Sequence, residues 1–115
     1  GEAMLGRVVN PLGHPIDEAS PIFGKSGDWR NVVSKEKGSK HISLDYIKLS
    51  YGDEFAHKPL QTESIYVLMT GIADLSADEQ WRLKSDDVIF LSPGDWFHLK
   101  HAGGGPTKLV HCRPI

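Results

Sequence analysis

The sequence predicts an all-β protein whose strands close into a barrel or roll into two facing sheets. Three observations carry this. Short runs rich in branched and aromatic residues follow one another along the chain, as strands do. Clusters of Gly, Pro, Asn and Asp stand between them. No stretch repeats its apolar residues with the period of an amphipathic helix of useful length. Closure follows because so many short strands in an open sheet would leave exposed edges.

The first run, Arg7 to Val9, ends at the turn Asn10-Pro11, and the second, Asp28 to Ser34, leads into Lys37-Gly38-Ser39. His41 to Leu49 alternates most clearly. There Ile42, Leu44, Tyr46 and Lys48 fall on one face and Ser43, Asp45, Ile47 and Leu49 on the other. Neither face is purely polar, which fits a strand sandwiched in a small barrel. After the turn at Tyr51-Gly52-Asp53 come Ser64 to Met69, closed by Thr70-Gly71, then Gln80 to Lys84 and Val88 to Leu91. Pro93-Gly94-Asp95 turns the chain into Trp96 to Lys100, and Gly103-Gly104-Gly105 into Lys108 to Cys112. At 115 residues there is room for one such domain. Residues 1-26 read as an extended N-terminal arm and 27-115 as a single barrel domain.

Composition sets limits on function. Hydrophobic residues at 39% and charged residues at 24% describe an ordinary soluble globular chain. A net charge of -2 with no local concentration of Lys and Arg supplies no field for a phosphate backbone, so nucleic acid is not an expected partner. No window has the length and hydropathy of a membrane span, and no signal-peptide pattern opens the chain; the reading is cytoplasmic, with no membrane partner. Cys112 is the single cysteine, which rules out an intrachain disulfide and a thiolate zinc cluster. In its strand it reads as an inert buried thiol.

Two fragments resemble nucleotide machinery. "ASPIFGKS" ends in Gly24-Lys25-Ser26, like a phosphate loop, but Ala19 stands where the loop's first glycine belongs. Pro21 also removes an N–H, and "SGDWRNVV" follows as a turn into a strand where the loop needs a helix. Residues 1-17 resemble a stretch of rotary ATPase subunits that itself binds no nucleotide. The simpler reading of both is turn chemistry.

From Tyr51 to Arg113 the chain resembles the cupin superfamily of small jelly-roll β-barrels. "DEQWRLKSDDVIFLSPGDWFHLKHAGGGPTKLVHCR" is similar to the second cupin segment, with Pro93-Gly94 as its turn, and "ESIYVLMTG" to the end of the first. The resemblance implies a homodimer, paired by strand exchange or sheet packing. It also implies a divalent transition metal held by histidines and a glutamate, a set that leaves positions open for substrate.

This sequence departs from that set. Counted back from Gly71, the glutamate position falls on Ser64, with Glu63 one residue earlier. The paired histidine positions fall on His57 and Pro59, or on Lys58 and Leu60 with a loop one residue shorter. Counted from Pro93-Gly94, the second segment's histidine position holds Phe97, with His98 one residue later, and a later asparagine position holds His101. Adjacent strand residues point to opposite faces, so Ser64, Tyr66, Phe97 and His101 are expected inside and Glu63 and His98 outside.

Two readings follow. In one, the protein binds a small molecule in the barrel without a catalytic metal, through His57, Ser64, Tyr66, Phe97 and His101. In the other, a bulge near each motif turns Glu63 and His98 inward to join His57 as metal ligands of an oxygenase, isomerase or lyase acting on a small polar substrate. His41 and His111 read as surface or satisfied strand histidines, His14 as a turn residue, and Trp29, Trp81 and Trp96 as rim or contact aromatics.

Overall fold

Alternation in β3 (Ile42–Leu49) sets the inside of the molecule: Ser43, Ile47 and Leu49 are buried, while Ile42, Leu44, Tyr46 and Lys48 face outward. The computed structural model describes residues 6–11 and 27–115. Beside β3 lie β1 (Val8–Val9), β2 (Asp28–Val33), β5 (Ser64–Thr70), β8 (Val88–Leu91) and β10 (Thr107–Pro114) in a six-stranded sheet of order β1-β8-β5-β10-β3-β2. Facing it is a four-stranded sheet, β4-β9-β6-β7, made of β4 (Glu54–His57), β6 (Ile72–Ser76), β7 (Gln80–Leu83) and β9 (Phe97–Ala102). The described chain is all-β, a jelly roll of two sheets closed over one core.

Eight strands match the expected runs to within two residues at either end. β4 and β6 go beyond them, as does a single 3-10 turn over Lys35–Lys37. No helix among the described residues is long and apolar enough to cross a membrane.

The core is apolar from both sheets: Ile47, Leu68, Ile89 and Leu109 meet Phe55, Leu75, Phe97 and Leu99. Trp29 stands edge-on to Phe55 at 4.9 Å between ring centroids, and Trp81 packs against the core with the Arg7 guanidinium 5.7 Å above its ring. Two of the three tryptophans thus pack on the core rather than serving only as rim aromatics. Between β5 and β6, Gly71 has φ +99°, and a Cβ there would lie 2.6 Å from the Thr107 Cα. Only glycine fits that turn.

Of the segment read as an arm, Val8 and Val9 join the sheet. β1 pairs in parallel with β8, and Asp87, fully buried, accepts hydrogen bonds from the Arg7 and Lys84 backbone N–H groups at 3.1 and 2.9 Å. The phosphate-loop-like Gly24-Lys25-Ser26, with Ala19 and Pro21, and His14 lie outside the described residues, as do most of the positions resembling rotary ATPase subunits.

The two sheets present different outer faces. On the four-stranded sheet Asp74 and Arg82 pair through two hydrogen bonds of 2.8 and 3.0 Å, and His98 meets Glu54 at 2.6 Å. On the six-stranded sheet the central outward positions are Ile65, Val67, Val110 and Leu44. Cys112 shares this face and is partly exposed, a correction to the buried thiol expected from the sequence.

Candidate functional site

Register decides which side chains meet inside. β4 and β9 pair without interruption, Ala56 opposite His98 and His57 opposite Phe97. β5 and β8 pair as regularly from Ser64 opposite Leu91. The irregularities in strand pairing fall elsewhere, at Asn31 to Val33 and Lys108 to Leu109. With no bulge at either motif, His57, Ser64, Tyr66 and Phe97 all sit on the inner face, each no more than 5% exposed.

Four rings form the inner wall at one end of the barrel. The His57 imidazole stacks on Phe97 at 5.3 Å and 5°, and its Nδ1 shares a hydrogen bond of 2.9 Å with the Tyr66 hydroxyl. Tyr66 in turn stacks on His111 at 3.9 Å and 6°. His111 is therefore an interior residue, contrary to the surface or satisfied role that the sequence suggests. Position two along β10 from buried Leu109 was the available signal, since the same parity gives the same face.

Burial sets the charge of this cluster. It draws His57 and His111 from 6.5 down to about 4, with His57 and Arg113 adding to the shift at His111 and Asp45 opposing it. Burial, helped by the Asp45 charge, also pushes the Tyr66 phenol well above its ordinary value. Near neutral pH the cluster is two uncharged imidazoles and a protonated phenol. On the same inner face Ser64 Oγ and His111 Nε2 are buried with no hydrogen-bond partner among the described residues, as are Trp81 Nε1 and Trp96 Nε1. A buried polar group without a partner costs about 1–3 kcal/mol, so such atoms mark places where another group belongs.

Next to this wall, Asp45 accepts a hydrogen bond of 2.9 Å from Asn31 Nδ2 and stands 3.9 Å from the Arg113 guanidinium. Asn31, Ser43, Asp45 and Arg113 line a recess of about 490 Å³ at the ends of β2, β3 and β10.

His101 is buried but not part of this cluster. It lies four residues along β9 from Phe97, about 13 Å away, where its Nδ1 bonds Thr107 Oγ1 at 2.9 Å. Glu63 is exposed, and His98 points outward to Glu54. The structure therefore does not bring together His57, Glu63 and His98. The donor set also fails for the metal that the resemblance implies: a phenyl ring occupies the position facing His57, the phenol holds its Nδ1, and no three His, Cys, Asp or Glu side chains among the described residues could share an ion.

No protein-family model matches the chain. Among solved structures it is similar to the polyketide cyclase RemF from Streptomyces resistomycificus, with a TM-score of 0.66 and 13% identity over 75% of this chain and 63% of that one. The cupin domain of Cnp3 from Schizosaccharomyces pombe gives 0.63 and 16% over 76% and 59%. The chain thus spans about three fifths of the length of these two. An RmlC-like cupin family protein with a double-stranded β-helix fold from Methanocaldococcus jannaschii gives 0.65 and 11% over 86% and 85%. Identities this low speak for the fold alone. Two facing sheets in jelly-roll order, the turns at Gly71 and Pro93-Gly94, and these neighbours together give the chain the cupin fold.

Proposed function

We propose that the protein binds a small molecule at the mouth of its barrel without a catalytic metal. The observation that carries the reading is the pair of buried, unpartnered atoms, Ser64 Oγ and His111 Nε2, beside the neutral His57–Tyr66 pair. A ligand polar group meeting them would recover the hydrogen bonds they lack, and the Asn31–Asp45–Arg113 recess supplies adjoining room. Phe97 supports the metal-free part, because its ring fills volume where the fold's metal sites carry an imidazole. Following the cupin resemblance, the protein works as a homodimer.

Thermal shift against a library of small polar metabolites tests the binding. The expected result is a hit whose stabilisation is lost in Ser64→Ala and His111→Gln. A hit unaffected by both substitutions would place the ligand elsewhere and overturn the site. Elemental analysis of protein purified without an affinity tag tests the metal. Stoichiometric transition metal that disappears in His57→Ala would overturn the metal-free reading in favour of the metal-dependent one.

A further inference from the structure

We propose that the molecule bound at the barrel mouth is an α-amino acid, held as a zwitterion with its carboxylate on Arg113 and its ammonium on Asp45. The inference rests on the small-molecule reading of this mouth and adds the class of ligand.

Strand pairing sorts the inner face of the six-stranded sheet into rows. Register places Leu68, Leu109, Ile47 and Trp29 side by side across β5, β10, β3 and β2, an apolar row packed into the core. Two residues along each strand, the next row reads Tyr66, His111, Asp45 and Asn31. Two residues further, Arg113 stands opposite Ser43, and Ser64 lies on its other side, since Cys112 opposite Ile65 carries the same register onward. The face turns from apolar to polar in a single step. Each polar row also holds a buried atom without a hydrogen-bond partner among the described residues, Ser64 Oγ in one and His111 Nε2 in the other.

The two rows offer opposite chemistry. Ser64 and Arg113 donate, through a hydroxyl and a guanidinium fork, whereas Asp45 accepts, as does the neutral His111 imidazole at Nε2 when its proton is on Nδ1. The charges between them are underused. Asp45 Oδ1 takes the Asn31 amide, but Oδ2 lies 3.9 Å from the Arg113 guanidinium, beyond hydrogen-bond reach, and that guanidinium makes no side-chain hydrogen bond among the described residues. A partly exposed pair at this separation adds little to stability. Stability therefore does not explain why both charges stand here.

An α-amino acid matches the arrangement group by group. Its ammonium nitrogen and carboxyl carbon are about 2.5 Å apart across one carbon, so the two ends meet adjacent, unlike charges. The carboxylate takes the Arg113 fork with Ser64 Oγ beside it, and the ammonium donates to Asp45 Oδ2 and His111 Nε2. Charge balance disfavours a ligand carrying only one of these groups. The recess of about 490 Å³ sets Asp45 and Glu36 against Arg113 and Lys35, so its summed field draws neither a net anion nor a net cation. Pro114 and Ile115 add apolar lining for an aliphatic side chain.

Isothermal titration calorimetry of the full chain against the standard L-amino acids tests the class. Binding of at least one is expected, weakened about 10-fold or more in the matching amine and in the matching carboxylic acid, each of which lacks one charged group. Arg113→Gln and Asp45→Asn are each expected to weaken it about 10- to 100-fold. Arg82→Gln, on the outer face of the other sheet, leaves it unchanged. If either site variant fails to fold, the amine and the acid titrated into the unmodified chain decide. An amine or acid that binds as tightly as the amino acid overturns the proposal, and so does an amino acid that binds either folded site variant undiminished. If no amino acid binds while another polar metabolite stabilises the chain through Ser64 and His111, the zwitterion falls and the small-molecule site stands. If neither kind of ligand binds, both readings fall.

Discussion

An imidazole that is neutral in the folded chain and basic in the unfolded one links stability to pH. For His57 and His111 the folded value lies near 4 and the reference value at 6.5. The unfolded chain therefore binds more protons between those limits. Stability from this source is full above about pH 6.5, falls as pH drops toward 4, and levels off below, by up to about 3 kcal/mol per imidazole. Urea titrations at several pH values should show that decline, and His111→Gln should flatten it; an unchanged slope would mean that the ring does not titrate as its burial requires. Tyr66→Phe leaves His57 Nδ1 without its partner and should cost about 1–3 kcal/mol in the same measurement. How legible these residues are in the sequence depends on their strands. Tyr66, Ser64 and Phe97 follow from parity counted off a glycine or a Pro-Gly turn. His111 obeys the same parity, but a His between Val110 and Cys112 carries no local mark of being buried. His101 shows the reverse case: parity gives its face correctly and says nothing of its height along the barrel.

Turns and edges matter most for the elements. Gly71→Ala would combine a strained φ of +99° with a clash against Thr107, and a loss of about 2 kcal/mol is expected in thermal or chemical unfolding. Asp87→Ala removes the acceptor that holds the Arg7 and Lys84 backbone at the foot of β1. The expected cost is about 3 kcal/mol, with faster hydrogen exchange at the Val88 amide, which donates to the Arg7 carbonyl at 2.9 Å. A protected Val88 amide in that variant would show that β1 docks without the carboxylate. Strands with branched and aromatic residues were legible because their local preference and their tertiary role agree. β4, "EFAH", and β6, "IADLS", have weak preference, and pairing with β9, and for β6 also with β7, makes them strands. That information is not local, so no short window contains it.

At the scale of the whole molecule the charge pairs on the outer face of the four-stranded sheet predict only a weak response of stability to salt. The Asp74–Arg82 pair, which holds the aspartate below its usual range, is exposed and screened, so it adds little to stability. Urea titrations across a salt series check this, and a change in stability well above about 1 kcal/mol would show the pair contributing more than an exposed pair does. The register shift between Asn31 and Val33 matters for the edge of the larger sheet, because β2 is the last strand on that side among the described residues. A kinked ribbon is a poor template for a straight incoming strand. Along that border the kink therefore works against cross-strand pairing by another extended chain.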